Sequence, residues 1–267
     1  FASSRTLTAS SPPNWNTSDL AGGGDSPLLT RLMRSPLIAL LFGLSSLGAA
    51  DAPTPLTEAP ATLLAQTDKL VGADAMTKGS PALLWKITKG RWERTALGTS
   101  GAELPADKHN AIIRLPVKLE SFVLAFEVRL DGAANLAFTI NNAKEQLARV
   151  IIAPTYVSLR RDDYDGNGPE KAYTLFTQPT SIDAATWHTV VFEMVGDTIV
   201  LTVDGKISGW GSDPAYLKEI RANPGFHIDG TFASVRNFRL WTAKAEPKPT
   251  WAEKKGTLPK PLAKPKK

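Results

Sequence analysis

Three apolar runs and two short turn sequences fill the stretch WHTVVFEMVGDTIVLTVDGKISGW, residues 187–210. The turn sequences are Gly196-Asp197 and Asp204-Gly205, and they favour two-residue β-hairpins because Gly and Asp adopt left-handed backbone at low cost. The apolar runs are rich in Val, Ile, Phe and Thr, which are enriched in strands. The stretch therefore predicts three consecutive antiparallel strands, over residues 187–195, 198–203 and 206–210.

The same kind of run recurs through the middle of the chain. Residues 122–130, FVLAFEVRL, alternate strictly, so Phe122 and Phe126 face one side of a strand while Glu127 faces the other. Further strands are predicted over residues 82–87, 91–97, 111–115, 136–141, 147–153, 156–161, 172–177, 226–229 and 232–241. So many short strands with tight turns predict an all-β fold, a two-sheet antiparallel sandwich or jelly roll.

Helices are predicted to be short and the termini to be disordered. One short helix is predicted over residues 62–68, and another over residues 214–221 after an N-cap at Asp213. The predicted domain spans residues 80–243, preceded by a Pro-, Ala- and Thr-rich spacer over residues 51–79. Residues 244–267 hold eight lysines and two glutamates among several prolines, so this tail is predicted to be extended and disordered.

A secretion signal is predicted over residues 33–50, MRSPLIALLFGLSSLGAA. Basic residues stand at its start, an apolar run fills its middle, and Gly48-Ala49-Ala50 provides small residues before a cleavage point. The apolar run is shorter than the roughly 20 residues that a spanning helix needs. Residues 1–32 are interpreted as a non-native or disordered extension, and the mature protein is expected to be secreted, periplasmic or in the cell envelope, beginning near Asp51.

Composition excludes several classes of site. The chain has no cysteine, which excludes disulfides and thiolate metal sites, and its three histidines have no metal-ligand spacing. The net charge of +5 belongs mainly to the tail, so no nucleic-acid-binding face is predicted for the domain. The tail is interpreted as a solvated linker, and the alternative is weak attachment to anionic envelope polymers or membrane lipid.

Three segments together, residues 122–142, 187–212 and 223–241, resemble a known family. They are similar to small secreted concanavalin A-like sandwich proteins of the 3-keto-disaccharide hydrolase-like domain family, found in planctomycete-type bacteria. The resemblance covers residues 85–241 and implies a concanavalin A-like jelly roll and hydrolysis of 3-keto-disaccharides or related glycosides. The acidic E-x-Q-x-x-D-like stretch of the fuller family pattern has no match here, nor does the E-x-D-x-x-E of glucanase-type relatives.

Three residues are candidates for acid/base catalysis. Glycoside hydrolysis uses two carboxyl groups about 5–10 Å apart. Glu127 and Glu193 lie on predicted strands, and His109 stands at the entrance of one, where it can act as a general base. The alternative is that the glutamates belong to a wet sheet face with cross-strand ion pairs and that His109 is a surface residue. Ser–His–Asp catalysis is not supported, because no G-x-S-x-G occurs.

Four residues are candidates for binding a sugar. Arg129 shares a strand face with Glu127, Arg149 interrupts the apolar run QLARVII, and Arg160 lies on the following strand. Trp210 offers a ring on which a pyranose can stack. The alternative is again a solvent-facing sheet side in which charged residues pair across strands.

The stretch DDYDGNGPE, residues 162–170, resembles a calcium loop. Asp163, Asp165 and Asn167 alternate as calcium ligands do in an EF-hand. Neither flank is predicted to be helical, and Thr174 stands where the bidentate glutamate of an EF-hand belongs. The stretch is therefore interpreted as a loop joining two strands, with calcium as the alternative and no other cofactor expected.

The sequence thus predicts a secreted β-sandwich module that binds carbohydrate or an envelope glycan, without nucleic acid or a membrane span in the mature chain. One alternative is a glycoside hydrolase acting on 3-keto-disaccharides, and another is a non-catalytic structural scaffold. A hydrolase requires two carboxyl groups, or a carboxyl group and a histidine, in one pocket. A binding module requires only exposed aromatic rings with polar neighbours.

Overall fold

Strands dominate the computed structural model of the protein, which describes residues 55–142, 145–163 and 171–264. The strands are β1 Thr67–Asp74, β2 Lys86–Lys89, β3 Arg91–Arg94, β4 Thr99–Ala102, β5 Ala111–Arg114, β6 Lys118–Leu119, β7 Phe122–Arg129, β8 Ala133–Asn141, β9 Gln146–Ala153, β10 Tyr156–Arg161, β11 Tyr173–Pro179, β12 His188–Val195, β13 Thr198–Val203, β14 Ile207–Ser212, β15 Arg221–Gly230 and β16 Ala233–Ala243. One α-helix, α1, spans Trp251–Thr257, and short 3₁₀ turns span Pro105–Asp107 and Pro214–Leu217. Asp213 caps the second of these turns as predicted, since its side chain accepts a hydrogen bond from the N–H of Ala215, but the helix predicted over residues 214–221 is wrong beyond Leu217, because the chain enters β15 at Arg221.

The strands form two antiparallel sheets that pack face to face. Sheet A has the order β14-β13-β12-β7-β16-β4-β3, with β1 also paired to β16. Sheet B has the order β11-β10-β9-β8-β15-β5-β2, with β6 also paired to β15. This arrangement confirms the predicted two-sheet antiparallel jelly-roll sandwich.

Alternation along the strands builds the core between the sheets. Phe126 of sheet A and Phe138 and Phe226 of sheet B point inward and are essentially buried, with ring centroids 5.0 to 5.4 Å apart. Full burial of each such ring stabilises the fold by about 1.5–3 kcal/mol. The aromatic cluster therefore holds the two sheets together at their centre.

The predicted hairpin turn between β13 and β14 is confirmed. Asp204 and Gly205 have φ of 51° and 64°, which is the left-handed backbone that this turn type requires. The side chain of Asp204 also accepts a hydrogen bond from the N–H of Thr189, 2.8 Å away on the preceding strand β12. The turn is thus fixed both by its own backbone and by its neighbour.

The residues before the predicted domain contribute a strand. The predicted spacer contains β1, which runs along β16 from the Thr67–Ala243 pair to the Asp74–Phe238 pair. The helix predicted over residues 62–68 is wrong, because that segment is bent and then enters β1. Its N–H groups bond to a side chain of sheet A instead of to preceding carbonyl groups.

The tail also folds against the sandwich over its described part. The sequence predicts a disordered tail, whereas the structure has helix α1 there, with Trp251 only 7% exposed. Further on, the N–H of Leu262 donates to the carbonyl of Leu175 on edge strand β11, at 2.7 Å. Composition misses this because one buried tryptophan anchors a segment that is otherwise rich in Lys and Pro.

None of the helices formed by the described residues is long and apolar enough to cross a bilayer.

Each sheet turns a second face outward, since side chains alternate across a strand. We name the outward side of sheet A the covered face, and it carries Val123, Glu127, Arg129, Glu193, Trp210 and Trp241. We name the outward side of sheet B the arginine face, and it carries Arg114, Thr139, Arg149, Arg160, Gly225 and His227. The sequence-predicted sugar and acid/base residues divide between these two faces, except for His109, which lies outside the strands.

Candidate functional site

The covered face carries a second, smaller apolar cluster. One row of paired residues crosses sheet A in the order Trp241, Val123, Glu193, Val200 and Trp210. Leu64 and Ala65 from the N-terminal segment and Trp251 from helix α1 are buried against this side of the sheet. The two chain ends of the described unit therefore close most of this row from solvent.

Glu193 anchors the N-terminal segment to the covered face. It is fully buried, and its carboxylate accepts hydrogen bonds from the N–H groups of Leu63, Leu64 and Ala65 at 2.7 to 2.9 Å. Burial raises the pKa of Glu193, while these three bonds and the positive charge of Lys248 act in the opposite direction. Consecutive backbone N–H groups around one carboxylate form an anion-binding nest, here within the protein itself. Glu193 thus has a structural role in this arrangement.

Glu127 is likewise held by protein donors. It is 5% exposed and accepts hydrogen bonds from Arg236 Nε at 2.6 Å and Asn237 Nδ2 at 2.7 Å. Glu127 pairs with Thr189, and Glu193 pairs with Val123, in the same two strands. Four residues of strand separate the two glutamates, which is roughly 13 Å. Their carboxyl groups therefore do not form a catalytic pair.

His109 lies away from both glutamates. It forms an isolated bridge with Leu104, and its ring Nδ1 is 3.2 Å from the carbonyl oxygen of Asn110. Its charge acts on His227 of the arginine face, where it contributes to lowering the pKa. The three predicted acid/base residues do not meet in one pocket of the described structure.

Two of the predicted sugar-binding residues lie on the covered face with protein partners. Arg129 Nε is 2.5 Å from Asp131 Oδ1, and its guanidinium stacks over the Trp187 ring. The Trp210 ring makes an edge contact with Trp251, at 6.1 Å between centroids, and Lys255 Nζ lies 4.1 Å from its centre. Trp210 therefore presents its ring to helix α1.

A cavity of about 200 Å³ opens between the sheets beside edge strands β2 and β3. Trp85 and Trp92 line it together with Leu83 and Arg94. The Asp74 carboxylate binds both terminal nitrogens of Arg94 and accepts from the Trp85 indole. The cavity is therefore a largely apolar opening at the edge of the hydrophobic core.

The arginine face holds the other two predicted sugar-binding residues and extends their row. Arg160 pairs directly with Arg149, and Arg149 pairs with Thr139 on the next strand. Thr139 pairs with Gly225, and Gly225 pairs with Arg114. Three arginines thus lie in one line across five adjacent strands, with two small residues between the second and the third.

The arginines in this line differ in their partners. Arg149 Nε lies 2.7 Å from Asp162 Oδ2, and its Nη2 donates to Gln146 Oε1. Arg160 is half-buried and makes no hydrogen bond or ion pair with any residue that the structure describes, and its Nε is shielded from solvent. Directly opposed like charges on neighbouring strands are destabilising. Arg160 is therefore a cation that the described fold leaves uncompensated.

His227 lies at the centre of the arginine face. Its Nε2 is 3.1 Å from Thr139 Oγ1, and the side chain is 5% exposed. Burial, together with the positive charges of Arg114, Arg149 and His109, lowers the pKa of His227 to about 3. The imidazole is thus neutral at ordinary pH, and the arginine charges reach the centre of the face.

One exposed aromatic ring belongs to the same side of sheet B. Tyr156 is 37% exposed and begins β10, on the face that Ser158 and Arg160 share. It was not among the sequence candidates, and neither were Arg114, Thr139 and His227. The alternation of YVSLRR, which puts Tyr156 and Arg160 on one side, is the signal that finds it.

The predicted calcium loop is described only at its start. Asp163 is described, whereas Asp165 and Asn167 lie outside the described residues. No group of three or more metal-ligating side chains occurs within residues 55–142, 145–163 and 171–264. Calcium binding by this loop stays a prediction.

Comparisons with known proteins support the fold and no closer relationship. No protein-family model matches the chain, and no curated protein matches its sequence, so the family resemblance stays a prediction. The carbohydrate binding module CBM66 from Bacillus subtilis is 15% identical with a TM-score of 0.50, over 60% of this chain and 96% of that one. A Bacillus subtilis protein of unknown function with a galectin-like fold is 10% identical with a TM-score of 0.51, over 67% of this chain and 98% of that one. At such identities the similarity shows a shared jelly-roll sandwich.

Proposed function

We propose that the protein is a secreted carbohydrate-binding module whose ligand lies on the arginine face. The observation that carries the proposal is the row from Arg160 to Arg114, in which Arg160 has no partner in the described chain. Guanidinium groups offer several N–H donors in a fixed plane, which suits the hydroxyl and carboxyl oxygens of sugars. One solved protein with a similar fold is itself named a carbohydrate binding module.

The arginine face also has the aromatic surface that sugar binding uses. Tyr156 presents an exposed ring on the same side of β10 as Arg160. An aromatic ring packs against the apolar face of a pyranose while nearby polar groups bond to its hydroxyls. Four residues separate Tyr156 from Arg160, roughly 13 Å along the strand, so the two contact different units of an oligosaccharide.

The proposal is tested by glycan-array binding with the full chain, followed by calorimetry on the glycans that bind. We expect micromolar to millimolar affinity, reduced at least fivefold in Tyr156→Ala. The matched control is Lys206→Ala, an exposed side chain in the hairpin of sheet A. A folded protein that binds no glycan on the array contradicts the function. Binding that Tyr156→Ala leaves unchanged contradicts the assignment of the face.

Secretion rests on the pattern of residues 33–50, which lie outside the described residues. The test is expression of the chain from Met33 in a bacterial host and N-terminal sequencing of the product in the periplasm or medium. We expect the mature product to begin near Asp51. A product retained in the cytoplasm with Met33 intact contradicts this part of the proposal.

A further inference from the structure

The arginine face concentrates positive charge along one line of sheet B. Directly paired residues on adjacent antiparallel strands have Cβ atoms about 4.5–5.5 Å apart, which applies to Arg149 and Arg160. Their like charges repel at this distance, and the repulsion is only weakly screened where the side chains are half-buried. A fold retains such a pair at a cost in stability, unless an anion lies against it.

The described chain provides an anion for one member of the pair. Asp162 Oδ2 lies 2.7 Å from Arg149 Nε, and Asp162 is itself only 4% exposed. No such partner exists for Arg160 among the residues described, and its buried Nε is left without an acceptor. A buried donor without an acceptor is destabilising. A ligand that brings an oxyanion to Arg160 removes both this cost and the repulsion.

The centre of the row carries small, uncharged residues. Thr139 and Gly225 separate Arg149 from Arg114, and three strand spacings correspond to roughly 14 Å. A Cβ at Gly225 would lie 2.8 Å from Arg114 Cγ and 2.7 Å from the carbonyl oxygen of Ile113, so this position requires glycine. The Arg114 side chain therefore passes close over the backbone of β15. The buried Thr139 and Gly225 are thus flanked by an arginine on each side of the row.

From this geometry we infer that the arginine face selects acidic glycans, whose carboxylate or sulfate groups bind Arg160 together with Arg149. The inference rests on the proposed carbohydrate-binding function and names its ligand class. A guanidinium donates two parallel N–H bonds to a carboxylate or sulfate, which adds geometric selectivity to charge.

The test compares acidic and neutral oligosaccharides of matched linkage on the full chain. The pairs are β-1,4-linked oligomannuronate against β-1,4-linked mannan oligomers, and dextran sulfate against dextran. We expect at least one acidic member to bind tenfold or more tightly than its neutral partner, and its affinity to fall as salt is raised. Vesicles containing anionic phospholipid are a third probe and are expected not to bind.

Variants assign the effect to the row. Arg160→Met is expected to lower the affinity for the acidic oligomer at least tenfold, while Arg160→Lys keeps the charge without the planar fork and recovers part of it. Lys206→Met removes one positive charge from the other sheet and is expected to leave the affinity unchanged, which excludes a simple effect of net charge. Circular dichroism and thermal melting verify that each variant folds.

The outcomes separate this inference from the function on which it rests. Equal affinity for acidic and neutral oligomers overturns the inference and leaves carbohydrate binding intact. No binding of any saccharide by the folded chain overturns both. Acidic selectivity that survives in Arg160→Met overturns the assignment to this row, and binding to anionic vesicles without binding to oligosaccharides overturns the ligand class.

Discussion

The covered face and the arginine face differ in whether their charged residues have partners within the protein. On the covered face, Glu193 has three backbone donors, and Arg239, 1% exposed, donates to the carbonyl oxygens of Pro55 and Glu58 at 3.4 and 3.1 Å. On the arginine face, Arg160 has no partner in the described chain. Charged residues on the covered face hold chain segments in place, whereas the arginine face leaves the cation of Arg160 available. Charged residues with protein partners therefore have structural roles here, and Arg160, which has none in the described chain, belongs to the proposed site.

The largest expected loss of stability is at the anchor of the covered face. Glu193→Ala leaves the N–H groups of Leu63, Leu64 and Ala65 buried without an acceptor. At about 1–3 kcal/mol for each orphaned donor, we expect a loss of about 5 kcal/mol in the free energy of unfolding, measured by urea denaturation. Glu193→Gln keeps one acceptor oxygen and is expected to lose less than half as much. A loss below 1 kcal/mol for Glu193→Ala contradicts the anchoring role.

A somewhat smaller loss is expected where the tail meets the covered face. Trp251→Ala removes the buried ring that packs edge-on against Trp210, and truncation of a buried tryptophan costs about 3–5 kcal/mol. The control is Glu253→Ala, two residues further along helix α1 and exposed. Proteolysis adds a second readout, since release of the helix exposes the lysines that follow it. Equal melting temperatures for the two variants contradict the view that the tail is part of the fold.

Local sequence signals predict the hairpins, whereas they do not predict contacts between residues that are far apart in the sequence. Asp204-Gly205 carries its turn geometry in its own residue types, so the strands that flank it are found from sequence. The adjacency of Arg149 and Arg160 also follows, because a short turn joins their strands. Arg114 joins the row only through the pairing of β5 with β15, and no local pattern encodes that. Trp251 is missed for the same reason, since its partner Trp210 lies on a distant strand.

The third prediction concerns pH and the arginine face. The pKa of His227 is about 3 in the folded protein against 6.5 for a free imidazole, because of burial and the charges of Arg114, Arg149 and His109. Below pH 6.5 the unfolded chain binds a proton that the folded chain refuses, so stability present above pH 6.5 is lost as the pH falls toward 3. At about 1.4 kcal/mol per pH unit, roughly 2–3 kcal/mol is lost over two units.

The measurement for His227 is a difference between two proteins. His227→Gln keeps a hydrogen-bonding partner for Thr139 but does not titrate, so it is expected to lack this part of the acid sensitivity. The carboxyl groups titrate in both proteins, and their contribution cancels in the comparison. Parallel stability curves between pH 6.5 and about 4.5 contradict a neutral, buried His227.

The smallest expected effect on stability is at Arg160, and it tests the difference between the two faces most directly. Arg160→Met removes one of two opposed like charges and keeps most of the side-chain volume, so we expect a change within about 0.5 kcal/mol, with stabilisation as the favoured sign. Arg239→Met on the covered face is the matched control, because it removes an arginine whose guanidinium bonds to two carbonyl groups, and we expect a clear loss of stability. Both are measured by urea denaturation at low and high salt, and high salt is expected to reduce any gain in Arg160→Met only in part, because half-buried charges are weakly screened. A loss above 2 kcal/mol in Arg160→Met contradicts the contrast, since it means that the folded chain itself uses the guanidinium. A near-neutral result means that Arg160 contributes nothing to the free energy of unfolding, which supports a role for it in binding.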